Sequence, residues 1–437
     1  MSAVQPPEAG AMLGTPPPPP PPPPPTTPHS GPSDGLPAAD QRRDAGIGPE
    51  PRSEPTTLRS GSSEDLPAAA WWVALAGLPG MGPARLRALW DTSSGREAWR
   101  TVAAGRGHLV PEVAAVLGRT GAEVSERWAR AARSHDVAER WEAHAGVVVT
   151  VLGDALHPGR LVDDVEPPVV LFAAGDLGAV AGPTVAVVGT RRCTRAGAEF
   201  AHELGVACAG AGVRVVSGLA VGIDTAGHRG ALAAGPGGAP PVAVVGSGLD
   251  VVYPARSRAL WAEVADRGVV LSEYPLGTEP ARWRFPARNR LVAALADVVV
   301  VVESPRSGGS MYTVDEALRR DRKVLAVPGS VRSAASAGTN WLLSQGAEVA
   351  CSPDDVLTAA GVTGAAADEG TLLDPRPRPT GDGRRVLRAL GWEPASLDTL
   401  AGRTGLGLGA LAVALDGLES DRWVDRDTGR VERRSRP

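Results

Sequence analysis

Lysine is almost absent from this sequence, because 44 of the 45 basic residues are arginine and only Lys323 is a lysine. A Walker A loop needs a lysine directly after a glycine, and Lys323 follows Arg322, so a nucleotide-binding P-loop is excluded. The same scarcity removes lysine nucleophiles at every other position. Cationic contacts are therefore made by planar guanidinium groups, which suit phosphate.

Cysteine and long apolar runs are also scarce. Cys193, Cys208 and Cys351 show no CxxC spacing, which argues against a zinc site or a disulfide scaffold and fits a reducing cytosol. No apolar run approaches the length of a transmembrane helix, and the N-terminus lacks the pattern of a secretory signal. The net charge of -4 indicates no global basic field. We expect a cytoplasmic protein without membrane contact, metal or cofactor.

Signatures of two enzyme classes begin in the sequence but are not completed. Gly189 is followed by TRRCTRAG, which lacks the GxGxxG spacing of dinucleotide sites. His202 and Glu203 begin like a zinc-binding HExxH helix, but position 206 is a valine. Four carboxylates lie at predicted strand ends or in loops: Asp224, Glu273, Asp297 and Glu303. Such carboxylates more often cap a turn or helix than act in acid–base chemistry, so no catalytic residue is predicted.

Composition and periodicity divide the chain into five segments. The predicted segments are 1–66 (disordered and Pro-rich), 67–144 (helical, helix-hairpin-helix or SAM-like), 145–360 (Rossmann-like and DNA-binding), 361–384 (a linker) and 385–437 (winged-helix-like). The winged-helix-like segment is predicted from three apolar helical faces followed by a hairpin pattern around 427–429. Such modules bind duplex DNA or mediate protein contacts, and the sequence does not decide between these roles.

One turn in the helical segment stands out. The run LPGMGPARL at 78–86 resembles a helix-hairpin-helix turn, in which Gly80 and Gly82 permit a tight bend and free backbone N–H groups can meet a phosphate. The alternative is a small helical packing module that binds nothing. The pattern alone leaves both open.

Seven apolar runs alternate with helical stretches in the middle of the chain. They are 185–189, 213–218, 242–248, 269–273, 297–303, 323–329 and a short strand at 348–350. Runs that are apolar throughout and separated by helices predict a parallel sheet covered on both faces. The fold class is therefore α/β, with a Rossmann-like, doubly wound parallel sheet and right-handed crossovers.

Two loops of this predicted sheet suit an anion. The first carries Arg191, Arg192 and Arg195, and the second, 217–222, is rich in glycine and begins with Ser217. Loops that leave the C-terminal ends of parallel strands are where ligands bind. Backbone N–H groups in such a loop form an anion nest. A phosphate is the expected ligand.

Several stretches together resemble the DNA-processing protein A (DprA/Smf) family. They are GTRRCTRAG (189–197), VVSGLAVGIDTAGHRGAL (215–232), VAVVGSGLDVVYP (242–254), SEYPLGTEP (272–280), FPARNRLVAAL (285–295), VVVVESPRSGGSMYT (299–313), and AVPG (326–329) followed by GTNWLLSQGA (338–347). Their order and separations make the resemblance specific over most of 146–351. The flanking helical and winged-helix-like segments also look like the family.

This resemblance implies a single-stranded DNA-binding protein that protects incoming DNA in transformation and helps to load RecA, commonly as a homodimer, without catalysis. The DNA-binding or phosphate-binding positions that it implies are Gly189, Thr190, Arg191, Arg192, Ser217, Gly218, Leu219, Ala220, Gly222, Asp224, Arg288, Asn289, Arg290, Gly309 and Ser310. Val221 stands where many members have a cationic residue, so one phosphate contact is expected to be missing or shifted.

Two groups of these residues allow a structural interpretation. Arg288 and Arg290 could contact DNA or could form salt bridges, with Glu273 and Glu303 as plausible partners. Beside them, Arg282 and Arg284 extend the basic patch.

The aromatic residues of this stretch are ambiguous in the same way. Trp283 or Phe285 could stack on a base. Packing in the core is the alternative for both.

An enzyme is the alternative function. A related Rossmann group hydrolyses nucleoside monophosphates and carries PGGxGTxxE, whereas this chain has SGGSMYTVD at 307–315. The proline and the Gly-Thr pair are missing, and Asp315 replaces the glutamate, so a phosphoribohydrolase-like activity is disfavoured.

Overall fold

The computed structural model describes residues 66–362, 376–377, 379–391, 394–427 and 429–434. The predicted disordered segment lies outside these residues except for Leu66, and so does most of the predicted linker. None of the described helices is both long and apolar enough to cross a membrane.

Six helices make up the described chain from 66 to 144. They are α1 (Ala68–Ala76), α2 (Pro83–Trp90), α3 (Gly95–Ala103), α4 (Pro111–Leu117), α5 (Gly121–Arg133) and α6 (Val137–Glu142). A capping box formed by Ser94 and Glu97 starts α3. Trp128 of α5 is fully buried and donates its indole N–H to the carbonyl oxygen of Pro79 at 3.1 Å. This bond fixes the α1–α2 turn against α5.

A nine-stranded sheet forms the centre of the molecule. Its strands are β1 (Val148–Val151), β2 (Val170–Gly175), β3 (Thr184–Val188), β4 (Arg214–Ser217), β5 (Val242–Val245), β6 (Val269–Ser272), β7 (Val298–Val301), β8 (Lys323–Ala326) and β9 (Glu348–Val349), in the order β1-β2-β6-β5-β4-β3-β7-β8-β9. Strands β3 to β9 are parallel, which confirms the predicted seven-stranded parallel sheet, and β1 and β2 extend it antiparallel beyond β6. Strands β4, β5 and β6 are added on one side of β3, and β7, β8 and β9 are added on the other side. The topological switch point therefore lies between β3 and β7.

Helices cover both faces of this sheet. They are α7 (Gly159–Val162), α8 (Arg195–Gly210), α9 (Ile223–Ala233), α10 (Arg258–Arg267), α11 (Arg284–Leu295), α12 (Ser310–Leu318), α13 (Ala337–Ser344) and α14 (Pro353–Ala359). Alternate residues of β3 point to opposite faces. Val187 joins the apolar cluster that contains Leu204 of α8, whereas Val188 joins the one that contains Leu291 of α11. The predicted doubly wound architecture is confirmed.

Helices α8 and α9 cross at unusually close range. A Cβ atom on Gly230 would collide with the carbonyl oxygen of His202, and one on Gly205 would collide with that of Gly227. Glycine at the crossing therefore lets the two helices approach backbone to backbone. This packing fixes the position of α9, whose first turn follows the glycine-rich loop.

The N-terminal helices share a core with the sheet. One apolar cluster contains Trp128 of α5, Phe172 of β2 and Trp261 of α10. Across the same boundary, the Leu276 N–H donates to His144 Nε2 at 3.1 Å. The helical region therefore packs directly against the β2–β6–β5 side of the sheet, next to the loop that follows β6.

The C-terminal module has a core of its own. It contains α15 (Gly381–Leu390), α16 (Leu397–Thr404), α17 (Leu408–Ser420), β10 (Ala395–Ser396), β11 (Val424–Asp427) and β12 (Arg430–Arg433), with the strand order β10-β12-β11. Leu390, Leu400, Leu415 and Val431 are buried together. Three helices and a two-stranded wing confirm the predicted winged-helix fold, although Thr428 of the predicted turn lies outside the described residues.

The wing of this module touches the Rossmann-like domain. Asp425 of β11 accepts hydrogen bonds from Arg195, the first residue of α8, and from Arg434. These two guanidinium groups hold the pKa of the Asp425 carboxyl below its usual value. Arg195 is therefore engaged with the wing, whereas Arg191 and Arg192 earlier in the same loop remain exposed.

Candidate nucleic-acid interface

Loops from three neighbouring strands meet at the switch point. They follow β3, β4 and β7. The Thr190 N–H donates to the carbonyl oxygen of Glu303 at 2.7 Å, and the Ile223 N–H donates to that of Thr190 at 3.4 Å. The residues predicted from separate parts of the sequence are thus joined by backbone contacts at one edge of the sheet.

The loop after β3 is held by a carboxylate and presents two arginines. Glu303 accepts hydrogen bonds from the Thr194 N–H at 2.8 Å and from its hydroxyl at 2.6 Å. Glu303 therefore caps this loop and is not the partner of Arg288 or Arg290 that the sequence suggested. Arg191 and Arg192 project from the same loop into solvent.

The glycine-rich loop after β4 already contains an anion. The Asp224 carboxylate accepts hydrogen bonds from the N–H groups of Gly218 at 3.1 Å and Ala220 at 3.4 Å. Leu219 has a φ of 53° and Gly222 a φ of 87°, and a Cβ atom on Gly222 would collide with the carbonyl oxygen of Thr190. The predicted nest is therefore formed, but the protein's own carboxylate occupies two of its N–H groups.

Arg288 lies beneath this loop. It is 6% exposed, and its Nη1 donates to the carbonyl oxygen of Val244. A Cβ atom on Gly218 would collide with its guanidinium group. Burial raises the pKa of the Asp224 carboxyl, and the positive charge of Arg288 opposes that increase. Arg288 thus supports the loop from inside the protein.

Arg290 is also inside the protein. Its guanidinium group forms an ion pair with Glu273, and the two side chains are 9% and 6% exposed. It donates a further hydrogen bond to the carbonyl oxygen of Glu166. Of the two partners suggested from the sequence, the structure selects Glu273 for Arg290. Of the two roles left open by the sequence, DNA contact or salt bridge, the structure shows the salt bridge for Arg290.

The remaining predicted residues divide by exposure. Gly309 is exposed with Arg191 and Arg192, whereas Ser217, Leu219, Asp224, Arg288, Arg290 and Ser310 are buried. The half-buried positions are Gly189, Thr190, Gly218, Ala220, Gly222 and Asn289. Asn289 donates to the carbonyl oxygen of Gly309 at 3.3 Å, and the Ser310 hydroxyl donates to Ser304 Oγ at 2.8 Å. The Asn289 bond connects α11 with the loop after β7, and the Ser310 bond closes that loop at the start of α12.

An aromatic patch adjoins these loops; it consists of Tyr253, Tyr274, Trp283 and Phe285. The Arg191 guanidinium lies 5.1 Å from the Phe285 ring centre, and Tyr253 lies 5.5 Å from the same ring. The rings of Tyr253 and Trp283 are 45% and 55% exposed. Core packing is therefore not the role of Trp283.

The second half of the aromatic patch is arranged around Arg284. Its guanidinium lies 5.0 Å from the ring centres of both Tyr274 and Trp283. The sequence indicated Trp283 and Phe285 but missed the two tyrosines, although both lie in the stretches that carry the family resemblance, VVYP and SEYP. Only the fold brings these separate stretches together.

Metal chemistry has no visible site here. Within the described ranges, no group of three or more His, Cys, Asp or Glu side chains is placed to hold a metal ion. The exposed groups described at this edge are the Arg191 and Arg192 side chains and the rings of Tyr253 and Trp283. Their chemistry is that of anion binding and stacking.

Comparisons with known proteins agree on one family. Family models for "DNA recombination-mediator protein A" and "DprA winged helix domain" match residues 148–361 and 372–430. DNA processing protein DprA of Streptococcus pneumoniae is 40% identical over 204 residues, which are 47% of this chain and 71% of that protein. A putative DNA processing protein DprA of Mycobacterium tuberculosis is 43% identical over 247 residues, 55% of this chain and 62% of that protein.

One solved structure shows the same relationship. The X-ray structure of DprA from Streptococcus pneumoniae superposes with a TM-score of 0.56 at 30% identity, covering 67% of this chain and 98% of that chain. A structure of DNA processing protein A from Helicobacter pylori is described in terms of its single-stranded DNA binding mode. It matches at 29% identity with a TM-score of 0.43, over 48% of this chain and 94% of that one.

Proposed function

The chain belongs to the DNA-processing protein A (DprA/Smf) family, and on that premise we propose that it binds single-stranded DNA at the switch-point loops without catalysing a reaction. The observation that carries the proposal is the aromatic patch beside exposed Arg191 and Arg192. Guanidinium groups hold the phosphates, and exposed rings stack on bases. Bases in a duplex are already stacked on each other, so the rings favour a single strand.

We assign different roles to the predicted site residues. Arg191 and Arg192 contact the strand, whereas the N–H groups of Thr190, Gly218 and Ala220 are bonded inside the protein to Glu303 and Asp224. Arg288 and Arg290 are positioning residues, because their guanidinium groups contact protein atoms inside the domain. Asp224 keeps the glycine-rich loop in shape by accepting two of its N–H groups.

The finer functions follow the family resemblance. We propose that the chain protects incoming single strands, helps to load RecA onto them, and acts as a homodimer. RecA filament assembly on strands coated with this protein tests the loading. Light scattering on the purified chain tests the dimer.

Binding of single strands is the direct test of the main proposal. The purified chain should retard a single-stranded oligonucleotide far better than a duplex, without ATP. Each phosphate contact on a single strand contributes about 0.7 to the slope of log affinity against log salt concentration. Arg191→Ala should therefore weaken binding and reduce this slope by about 0.7.

A matched variant controls for the loss of charge. Arg229 is equally exposed, and it lies in α9 about 9 Å along the helix axis from the glycine-rich loop. Arg229→Ala should leave the affinity and the slope unchanged. Absence of single-strand binding at low salt would refute the main proposal, and release of free base from a nucleoside monophosphate would favour the enzyme instead.

Trp283 is expected to provide a stacking contact. Removal of an aromatic ring that stacks on a base costs about 1–3 kcal/mol, so Trp283→Ala should weaken single-strand binding by roughly 5-fold to 150-fold. Trp283→Phe keeps an aromatic face and should retain most of the affinity. Because the side chain is 55% exposed, neither change should alter thermal unfolding. Equal affinity of Trp283→Ala and the unchanged protein in a fluorescence-anisotropy titration would exclude stacking at this position.

A further inference from the structure

The turn between α1 and α2 lies against the aromatic patch. A small cavity is lined by Met81, Gly82 and Pro83 of this turn and by Glu273 and Tyr274 from the end of β6. Tyr274 is also one of the two rings that Arg284 covers. The turn of the helical region and the DNA-facing loops of the sheet are therefore neighbours at the same edge.

Tyr274, which lines this cavity, has a buried hydroxyl without a partner among the described residues. Tyr274 is 5% exposed, and none of the described residues accepts or donates a hydrogen bond at its hydroxyl. The adjacent Glu273 carboxylate, which also lines the cavity, forms an ion pair with Arg290. Gly82 also lines the cavity, and no described residue accepts its N–H or that of Ala84 at the start of α2. The Tyr274 hydroxyl and these N–H groups are therefore available to donate hydrogen bonds to an acceptor oxygen.

Two arginines flank the turn. Arg85 donates to the carbonyl oxygen of Gly80 at 2.6 Å, and a Cβ atom on Gly80 would lie 3.6 Å from Arg127 Nη2. Neither guanidinium group has a carboxylate within salt-bridge distance among the described residues, whereas Arg130, one turn further along α5, pairs with Glu126. The charge of Arg85 and Arg127 is thus uncompensated beside the donors of the cavity.

The turn is rigid before any ligand arrives. Gly80 has a φ of 75°, which permits the sharp bend, and the Trp128 indole holds the neighbouring carbonyl oxygen of Pro79. A preorganised turn spends little conformational entropy on binding. Its geometry suits a phosphate that lies across the start of α2 between Arg85 and Arg127.

From this arrangement we infer that the α1–α2 turn is a second phosphate-contact segment for the same DNA strand, beyond the aromatic patch. The inference rests on the proposed binding of single strands at the switch-point loops. A strand gripped by Arg191 passes over Phe285 and Trp283, crosses Arg284, and reaches Arg85 and Arg127. The helical region therefore lengthens the binding path of the Rossmann-like domain.

Oligonucleotide length separates the two segments experimentally. Known single-strand binders occupy roughly 4 to 16 nucleotides for each binding domain, so oligothymidylates of about 6 and about 20 nucleotides sample one segment or both. For the long oligonucleotide, Arg85→Ala/Arg127→Ala should weaken binding at least about 10-fold and reduce the salt slope by about 1.4, two contacts' worth. For the short one, the affinity should be unchanged.

Further variants of the full chain keep this test decisive. Arg127→Ala alone changes only an exposed side chain and should reduce the slope for the long oligonucleotide by about 0.7. Arg119→Ala removes an exposed charge from the 3-10 turn that precedes α5, eight residues before Arg127, and should have no effect.

The outcomes distinguish the inference from the proposed function. If the double variant binds both lengths like the unchanged protein while Arg191→Ala weakens both, the second segment does not exist and the main site stands. An equal loss for both lengths in the double variant would also overturn the inference. If the unchanged protein binds neither length, the proposed function itself fails.

Discussion

Replacement of Arg290 by alanine is expected to lower the free energy of unfolding by about 3–5 kcal/mol. The guanidinium group and the Glu273 carboxylate are 9% and 6% exposed and form an ion pair. Without Arg290, the carboxylate stays buried without a counter-charge. The cost of that desolvated charge exceeds the energy of an ordinary surface salt bridge several-fold. Urea denaturation followed by circular dichroism measures the change.

The neighbouring arginine provides the matched control. Arg282 is exposed and lies eight residues earlier in the same basic stretch, so Arg282→Ala should change the unfolding free energy by less than about 0.5 kcal/mol. A second variant, Arg290→Met/Glu273→Leu, removes both charges and should recover most of the lost stability. Unchanged stability in Arg290→Ala, with loss of DNA binding, would return this residue to the DNA-contacting set.

Much of the fold could be predicted because its signals are local. Most strands of the parallel sheet are short valine-rich runs, as Val298–Val301 illustrates, and a strand that is apolar throughout indicates burial of both faces. The winged-helix module could be predicted for the same reason, since the apolar face of α15 is visible as Val386, Leu387 and Leu390.

The sequence did not show whether the arginines of α11 point into the protein or into solvent. Arg288, Leu291 and Leu295 are spaced by three and four residues, so they share one helical face. That face is the buried one, as the full burial of the two leucines shows. The spacing was visible in the sequence, but a family resemblance that marks these arginines as site residues does not say whether they act from inside or outside.

The aromatic patch depends on contacts between distant parts of the chain. Tyr253 follows β5, Tyr274 follows β6, and Phe285 lies in the first turn of α11. Each is unremarkable within its own stretch. Their proximity arises because the C-terminal ends of parallel strands lie at one edge of the sheet, and only the strand order tells which ends are neighbours.

The anion nest shows a different limit of sequence reasoning. Glycines at 218 and 222 predict a loop with free N–H groups, and the family resemblance places Asp224 among the residues that surround the phosphate. The structure instead bonds Asp224 to two of those N–H groups. A carboxylate two residues after Gly222 can reach back to its own loop, so the nest and its first ligand are encoded in the same short stretch.

Acidification is expected to destabilise the protein through two buried histidines. Burial lowers the pKa of His157 and of His228 from the usual 6.5 to about 4. Above pH 6.5 both histidines are neutral in the folded and in the unfolded chain, so their contribution to the stability of the fold is fully present. As the pH falls towards 4, the unfolded chain takes up protons that the folded chain refuses, so stability is lost. Each histidine should cost about 3 kcal/mol over this interval.

Two buried carboxyls act in the opposite direction. Burial raises the pKa of Asp224 and of Glu273, so the folded state binds their protons at a higher pH than the unfolded state does and gains stability as the pH falls. The free energy of unfolding therefore depends on pH through contributions of both signs, a loss from the histidines and a gain from the carboxyls on acidification. A histidine variant isolates one contribution, because the carboxyls remain the same in both proteins.

His157→Asn isolates the contribution of one buried histidine. His157 Nδ1 lies 3.0 Å from the Thr150 hydroxyl, and an asparagine amide preserves a polar group near that position. Urea denaturation of both proteins at several values between pH 7 and pH 4 should give curves that converge on acidification, with the unchanged protein losing about 3 kcal/mol more. Parallel curves would mean that His157 takes up its proton equally well in the folded state, and that its burial is relieved by water or by a local opening of the β1–β2 connection.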